Sequence, residues 1–341
     1  MNRRWICNDV CMDILPFFDR VQLGLKLALI SPRFDGLVDT HFDGKTELTI
    51  WSPIIVRKDI GGAEKPIFVC DEEDKDKRGH FPLPDRPLPN KIRFRDLQIA
   101  YVDHSVIEFL RSNQQIFNKR GTNLSFYLPS HATWDVFVRE IWPIFEQNIR
   151  HLNFSNTNHL DNLRRLISPT ILSDINPNTI NSGQLVPELL GDDGPNATAG
   201  QALGKWLHTP TNDGQPKRLF CSFSTSDPSI ANGWLDNFKQ AFLRATTTSS
   251  SACYTIPFTL FPSAPQMEPF ELTNEATQEM LTLEKQRIFG NGYCLKRRRG
   301  GGTSTEEKWD LNALNSVRIE LYAPNCIGPL SPPAAKSGSK Q

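Results

Sequence analysis

Apolar residues recur every fourth position at Ile6, Val10, Ile14 and Phe18. That spacing puts side chains on one side of a helix, until Pro16 removes a backbone donor and ends the pattern. Asp19 stands three residues before Gln22, an acidic form of the capping box, and opens a second helix along VQLGLKLALI. There Leu23, Leu27 and Ile30 point away from Val21, Leu25 and Leu29, so this helix is expected to be covered all round. Ser31 and Pro32 give an N-cap and a first-turn proline for a third helix along Phe34, Leu37, Val38, His41 and Phe42. Three short helices bury too little surface to be stable alone, so they need either the rest of the chain or a partner.

The pattern changes after these helices. ELTIWSPIIV (47–56) predicts a strand broken by Pro53, and the charge run DEEDKDKR (71–78) with the proline-dense FPLPDRPLPN after it predicts a loop or linker. From Lys91 short strands alternate with amphipathic helices. KIRFRDLQIA, NLSFYL, IRHLNFS, PTILSDI and KRLFCSFS each precede a helical pattern, and CYTIPFTLF is a further strand. Strand starts lie roughly 20 to 45 residues apart, a range that includes strand–helix solenoids. IRHLNFSNTNHLDNL hints at a leucine-rich repeat; the competing architecture is an irregular open α/β sheet. Either is mostly parallel, because strands joined through helices need crossovers. GDDGPNATAG (191–200) predicts an exposed insertion. Beyond Pro262, FELTN, EMLTLEK, GYCLKRR and SVRIELY are short and alternating, which predicts a small antiparallel meander. The fold class is therefore α+β or α/β. The expected organisation is a helical module (1–45), a strand with a charged, proline-rich linker (46–90), a repeat-like strand–helix region (91–262), an antiparallel β region (263–325) and a disordered tail (326–341).

Composition narrows the chemistry. The chain's 341 residues include 38 basic and 38 acidic side chains, so no global field draws it to nucleic acid or an anionic membrane. No apolar run reaches membrane-spanning length, and MNRRW leads into polar ICND, so the cytosol or nucleus is the expected compartment. Seven cysteines without close pairing fit reduced thiols. Cys7 and Cys11 lack a second pair to complete a zinc site, and the histidines, His151 and His159 among them, have no carboxylate at a telling interval. No nucleophile elbow, metalloprotease helix or phosphate loop is written in the chain, so no enzymatic activity, catalytic residue, metal or cofactor is expected. KRRR (296–299) reads either as a localisation or phosphate-binding patch or as a solvated hairpin end.

ICNDVCMDILPFFDRVQLGLKLALISPRF resembles the F-box, whose pattern runs Leu-Pro-x-Glu-Val-Leu-x-x-Ile-Leu-x-Phe-Leu-Asp and then an apolar helix ending in a Ser-Arg-Phe-like turn. Ile6, Asp9, Val10, Ile14, Leu15, Phe17, Phe18, Asp19, Leu23, Ser31, Arg33 and Phe34 fall on matching positions. HFDGKTELTIW and PFELTNEATQEMLTLEK are similar to the expanded F-box set of nematodes. The resemblance implies a non-catalytic substrate receptor of an SCF-type cullin-RING ubiquitin ligase. A Skp-type adaptor would cover Ile6, Cys7, Asp9, Val10, Ile14, Phe18, Leu23 and Phe34. Cys7 departs from the family's proline and loses its pre-set φ. The protein substrate, unidentified by any motif, would meet the strand parity that carries Arg93, Arg95, Tyr127, His151, Asn153, Arg218 and Phe220, while Ile92/Phe94, Leu124/Phe126, Leu152/Phe154 and Leu219/Cys221/Phe223 turn to the helices. The alternative is a scaffold protein whose helical N-terminus packs on its own chain; exposure of Val10, Ile14 and Phe18 separates the two.

Overall fold

A computed structural model describes residues 6–18, 20–41, 48–50, 52–71, 78–88, 92–119, 121–154, 156–189, 191–211, 213–223, 227–246, 253–261, 266–286, 292–299 and 315–331. The chain is a mixed α/β protein in two units, Met1–Asn148 with Asp310–Gln341, and Ile149–Trp309. This partition cuts across the boundaries expected from composition.

The first unit begins with α1 (Asn8–Ile14), α2 (Arg20–Gln22) and α3 (Pro32–His41). It continues through β1 (Leu48–Ile50), β2 (Ile54–Ile60), β3 (Ala63–Asp71), β4 (Arg78–Pro82), β5 (Ile92–Phe94) and β6 (Leu97–Ile99). Then come α4 (His104–Ser112), α5 (Gln114–Asn118), β7 (Thr122–Tyr127), α6 (His131–Val136) and α7 (Trp142–Phe145). The second unit holds β8 (Ile149–Phe154), α8 (Asn158–Leu166), α9 (Ile171–Ile175), β9 (Thr179–Asn181), α10 (Ala199–Leu207), β10 (Lys217–Ser222) and α11 (Pro228–Arg244). It ends with β11 (Tyr254–Thr259), β12 (Phe270–Asn274), β13 (Glu279–Gln286) and β14 (Gly292–Arg299), and β15 (Asn315–Glu320) returns to the first unit.

In the first unit the strands run β7-β15-β6-β2-β3-β4, parallel as far as β2 and antiparallel beyond it, with β1 and β5 in a separate parallel pair. The second unit runs β8-β9-β10-β11-β14-β13-β12, parallel as far as β11 and antiparallel beyond. All the apolar sets assigned to the helix side are buried. Phe126 meets Trp134 edge-on at 5.7 Å, Phe94 stacks on Phe117 at 6.0 Å, and Phe258 meets Trp234 at 5.5 Å, so aromatic rings carry the contact between strand and helix. Helix starts follow their caps: Asp103 accepts from the Val106 N–H at 3.0 Å, and Ser130 and Thr198 close capping boxes with Thr133 and Gln201.

Several expectations are corrected. The strand expected at 47–56 is extended into a meander: β2 and β3 pair through Gly61 and Gly62 at φ +65° and +82°, the left-handed pair that a two-residue hairpin requires, and β4 (Arg78–Pro82) puts a further strand inside the stretch expected as a loop or linker. The middle of the charge run, 72–77, lies outside the described residues. PTILSDI forms α9 rather than a strand: the Ser168 and Thr170 hydroxyls bond the Asp174 carboxylate at 2.8 and 3.1 Å, and left-handed Asn176 ends the turn. SVRIELY is not part of the antiparallel meander but is β15, parallel between β7 and β6. The 191–200 segment is turn-rich yet anchored, since the buried Arg164 donates to the Gly194 carbonyl at 2.7 Å and to the Ala197 carbonyl at 2.5 Å. The chain before it crosses α10 so closely that a Cβ on Gly204 would strike the Glu188 carbonyl oxygen. Of the expected tail, 326–331 runs beside Val102 and His104 through backbone bonds of 2.8 Å, and 332–341 lies outside the described residues.

The second unit buries groups that titrate. The Lys217 amine donates to the Trp206 carbonyl at 2.5 Å, lies 4.7 Å from that indole's centroid, and is pulled down by burial to about 7. Burial also holds His151 and His159 at about 4. The unfolded chain then binds protons that the folded unit does not, on the histidines between pH 4 and 6.5 and on Lys217 between pH 7 and 10.5. Each of these groups contributes stability that rises with pH through its window, by up to about 1.4 kcal/mol per pH unit, while the Cys221 and Cys294 thiols, pushed up by burial to about 12 and about 11, oppose Lys217 once pH approaches 9. Denaturant titrations at pH 7, 7.5 and 8, below the thiol range, are expected to show the Lys217 rise, with Lys217→Met flattening it; a wild-type midpoint that falls over this range would mean the amine stays charged in the fold.

Candidate partner-docking surface

The N-terminal helices carry two apolar stripes. Cys11 and Leu15 are buried, whereas Ile6, Val10, Ile14 and Phe18 on the other side are 55, 49, 45 and 37% exposed. The row with perfect four-residue spacing is therefore the outward one. Pro16 turns the helix into a 3₁₀ turn at Leu15–Phe17, which rotates Phe17 out to 86% exposure next to that row. Ile30, 59% exposed, is a further outward apolar side chain in this module.

What holds this stripe in place is the turn into α3. Ser31 caps the helix, its carbonyl accepting from the Asp35 N–H at 3.0 Å, and Pro32 fits the first turn. Arg33 then reaches back 25 residues: Nε and Nη2 donate to the Asn8 side-chain oxygen at 3.0 and 2.7 Å, and Nη2 also donates to the Ile6 carbonyl. A planar guanidinium thus ties the start of α1 to the start of α3. Asp35 and Asp39 follow four apart, and burial with that like charge raises the Asp35 pKa.

The second helix is less regular than its sequence implies. Leu23–Leu27 is π-helical, with the Ala28 N–H bonding the Leu23 carbonyl at 2.9 Å. Val21, Leu23, Leu25 and Ala28 are buried, so Leu23 is a packing residue and not part of the accessible surface. Lys26 lies 4.8 Å from the Phe81 centroid, which fixes the helices on β4. Cys7, Asp9 and the four spaced apolar residues share the open side; Phe34 is half-buried, and Asp19 and Phe42 lie outside the described residues. Cys7 is the N-cap of α1 at φ −58°, inside the range of proline, and its thiol donates to Asp9 Oδ2 at 3.7 Å.

The residues assigned to substrate contact are only partly brought together. Arg93 lies in the separate β1–β5 pair with Arg95 just beyond it, and Tyr127 ends β7. In the second unit His151 and Arg218 both oppose Thr179, and Asn153 and Phe220 both oppose Asn181, making two short rows on one sheet face. His151 is 7% exposed, with neither ring nitrogen hydrogen-bonded, so it is a buried group rather than a contact residue. Sequence reading missed a polar-aromatic patch on the first unit: Tyr127 meets Tyr322 at 5.0 Å, Tyr322 and Gln98 donate to Glu320 at 2.9 and 2.6 Å, and Arg318 pairs with Asp96 at 2.6 Å. Its residues come from strands more than 180 positions apart, and β15 had been expected elsewhere. The KRRR run is split by strand parity, with half-buried Arg297 paired with the buried Glu279 and Lys296 with Glu284, each at 2.6 Å. Among the described residues no group of three or more histidine, cysteine or acidic side chains is placed to hold a metal, and no helix is long and apolar enough to cross a membrane.

Arg33→Ala should loosen α1 and cost about 1–2 kcal/mol, since hydrogen bonds from a charged donor are lost at a solvated site. Faster amide exchange over 8–14 with the rest of the first unit unchanged is the expected result; unchanged exchange would mean the clasp contributes nothing. Cys7→Pro is compatible with the observed φ and should stabilise by about 0.4–1 kcal/mol through the unfolded chain, read as a higher denaturation midpoint. No protein-family model, no curated protein and no solved structure matches this chain, so its function rests on the surfaces described here.

Proposed function

We propose that this chain is a non-catalytic substrate receptor of an SCF-type cullin-RING ubiquitin ligase, with α1–α3 serving as an F-box-like module that docks on a Skp-type adaptor. The observation that carries this reading is the outward row Ile6, Val10, Ile14 and Phe18, joined by Phe17. In the scaffold alternative the N-terminal helices pack on their own chain, as the buried Cys11 and Leu15 do; the open row Val10, Ile14 and Phe18 favours the docking reading. A row of exposed apolar side chains along a helix tied by an arginine clasp supports reading this side as a surface that a partner completes. The family's Ser-Arg-Phe turn, here Ser31, Arg33 and Phe34, supplies that clasp.

The remainder of the chain would present the substrate. β8, β9, β10 and β11 follow one another in chain order and lie parallel, which supports reading this stretch as a short leucine-rich-repeat-like ladder; the first unit, with β15 between β7 and β6, does not follow that plan. Asn153, Arg218 and Phe220 on one face of the ladder, and the Tyr127–Tyr322 patch, offer the tyrosine and arginine chemistry common in protein contacts. Ubiquitin transfer itself would belong to partners, and no cofactor enters.

Fully covering an aliphatic side chain contributes roughly 1.5–3 kcal/mol, and a carboxylate among such side chains would lose its water without gaining a partner. Val10→Asp is therefore expected to abolish co-purification of a Skp-type adaptor, while the circular dichroism and melting of the chain stay unchanged because Val10 is already solvated. Equal adaptor recovery from the two proteins, or none from the wild type, would refute the assignment.

A further inference from the structure

Strand β12 lies at the end of the second unit's sheet and, among the described residues, pairs only with β13. In an antiparallel pair every second residue turns its N–H and C=O away from the partner, so β12 offers a row of backbone donors and acceptors on its outer side. The strand is held at full length: the Asn274 side chain donates to the Phe242 and Ala245 carbonyls at the end of α11, at 2.5 and 2.9 Å, and the Lys239 amine stands 4.4 Å from the Phe270 centroid. Alongside it runs a groove of about 620 Å³ lined by Asp236, Lys239, Gln240, Leu243 and Arg244 of α11 and by Leu272 of β12. Its apolar part is accessible, with Leu243 52% exposed and Leu272 half-buried.

We propose that this edge and groove bind an extended segment of a partner protein, which adds as a further strand to β12 and sets an apolar and an acidic side chain, two residues apart, against α11. The spacing follows from strand geometry, in which residues i and i+2 face the same way, roughly 7 Å apart. The apolar side chain packs on Leu243 and Leu272. The acidic preference follows from the charge of the groove, where two cations, Lys239 and Arg244, stand over one anion, Asp236, which already pairs with Lys239 at 3.4 Å. Arg244 Nη2 donates to the Gln240 side-chain oxygen Oε1 at 2.9 Å and has no carboxylate partner among the described residues. The opposite parity of the added strand runs beside exposed Glu271 and Thr273, so acidic residues are disfavoured there. A second copy of this chain would bring the same excess of cations to the groove, which is why the occupant is an acidic segment of another protein. This main-chain mode of recognition supplies affinity through the backbone and selectivity through alternate side chains. The proposal stands independently of adaptor docking, since it concerns the other unit.

The test starts from a phage-displayed library of random peptides selected on the full chain, with the enriched sequences then made as free peptides. Enriched peptides should carry an apolar and an acidic residue at i and i+2. On binding they should slow exchange at alternate amides of Phe270–Asn274. Arg244→Glu and Leu243→Arg, both at exposed helix positions and so tolerated by the fold, should each weaken binding by about tenfold or more. Methylating the peptide backbone at alternate nitrogens should abolish binding in one register only. No enrichment, enriched peptides indifferent to both variants, or protection lying outside β12 would overturn the proposal. So would a concentration-dependent dimer that protects the same amides without peptide, which would assign the edge to a second copy.

Discussion

Strand β15 is the piece on which the first unit depends. β7 and β6 have no ladder with each other; Val317 opposes both Leu97 and Leu124, and Ile319 opposes both Ile99 and Phe126, so the backbone groups between them are satisfied only when 315–320 arrive. Asn315 extends the constraint. Its side chain, 1% exposed, accepts from the Phe94 N–H at 3.2 Å and donates to the Ile116 carbonyl at 2.9 Å, so it ties β5 and α5 to a residue 221 and 199 positions away in sequence. The N-terminal helices hang on the same chain of contacts, because β5 pairs with β1, and the helical module rests on β4 through Lys26 and Phe81. An N-terminal module that looks separable in sequence is thus fixed through pairing that closes late, and such non-local closure carries a large loop entropy.

The exposed stripe on α1 follows from this arrangement. A short helix has room for one packed stripe, and the smaller one, Cys11 and Leu15, takes it. Burying Ile6, Val10, Ile14 and Phe18 instead would require α1 to roll about its axis, which would break the Arg33 fork to Asn8 and Ile6. Rigidity here lowers the ordering cost of any association, since the helix is already set before a partner arrives.

Sequence periodicity located most helices and strands because each strand's buried parity is chemically distinct, as with Leu124/Phe126 against Ser125/Tyr127. It failed where a residue's neighbour is distant. Nothing in SVRIELY distinguishes a meander strand from one inserted between β6 and β7, because the strand pattern records faces and not partners. The β2–β3 hairpin was legible in the Gly61–Gly62 pair but was masked by the charged run after it. At the candidate surface the spacing correctly identified an apolar face, but period alone does not tell which of two faces meets solvent. Leu23 illustrates the converse: it falls on a position of the resembled pattern and is buried within its own chain, alongside Val21, Leu25 and Ala28.

The basic run shows how strand structure overrides composition. Four successive cations in a loop would sum to a patch, but in β14 alternate side chains leave on opposite sides. Arg297 goes inward, where Glu279, 2% exposed, meets it at 2.6 Å and the Phe242 and Tyr254 rings lie at 5.7 and 6.0 Å. Lys296 goes outward and is neutralised by Glu284 on β13, and Arg298 Nη2 lies 3.2 Å from the Met280 sulfur. Breaking the inner pair would strand a buried charge, whereas breaking the outer one would change little, since solvent screens it. Charge in this region therefore serves packing between strands, whereas on α11 Lys239 and Arg244 stand beside β12, whose outer edge pairs with no other described strand, so backbone hydrogen bonding and electrostatics meet on the same short segment.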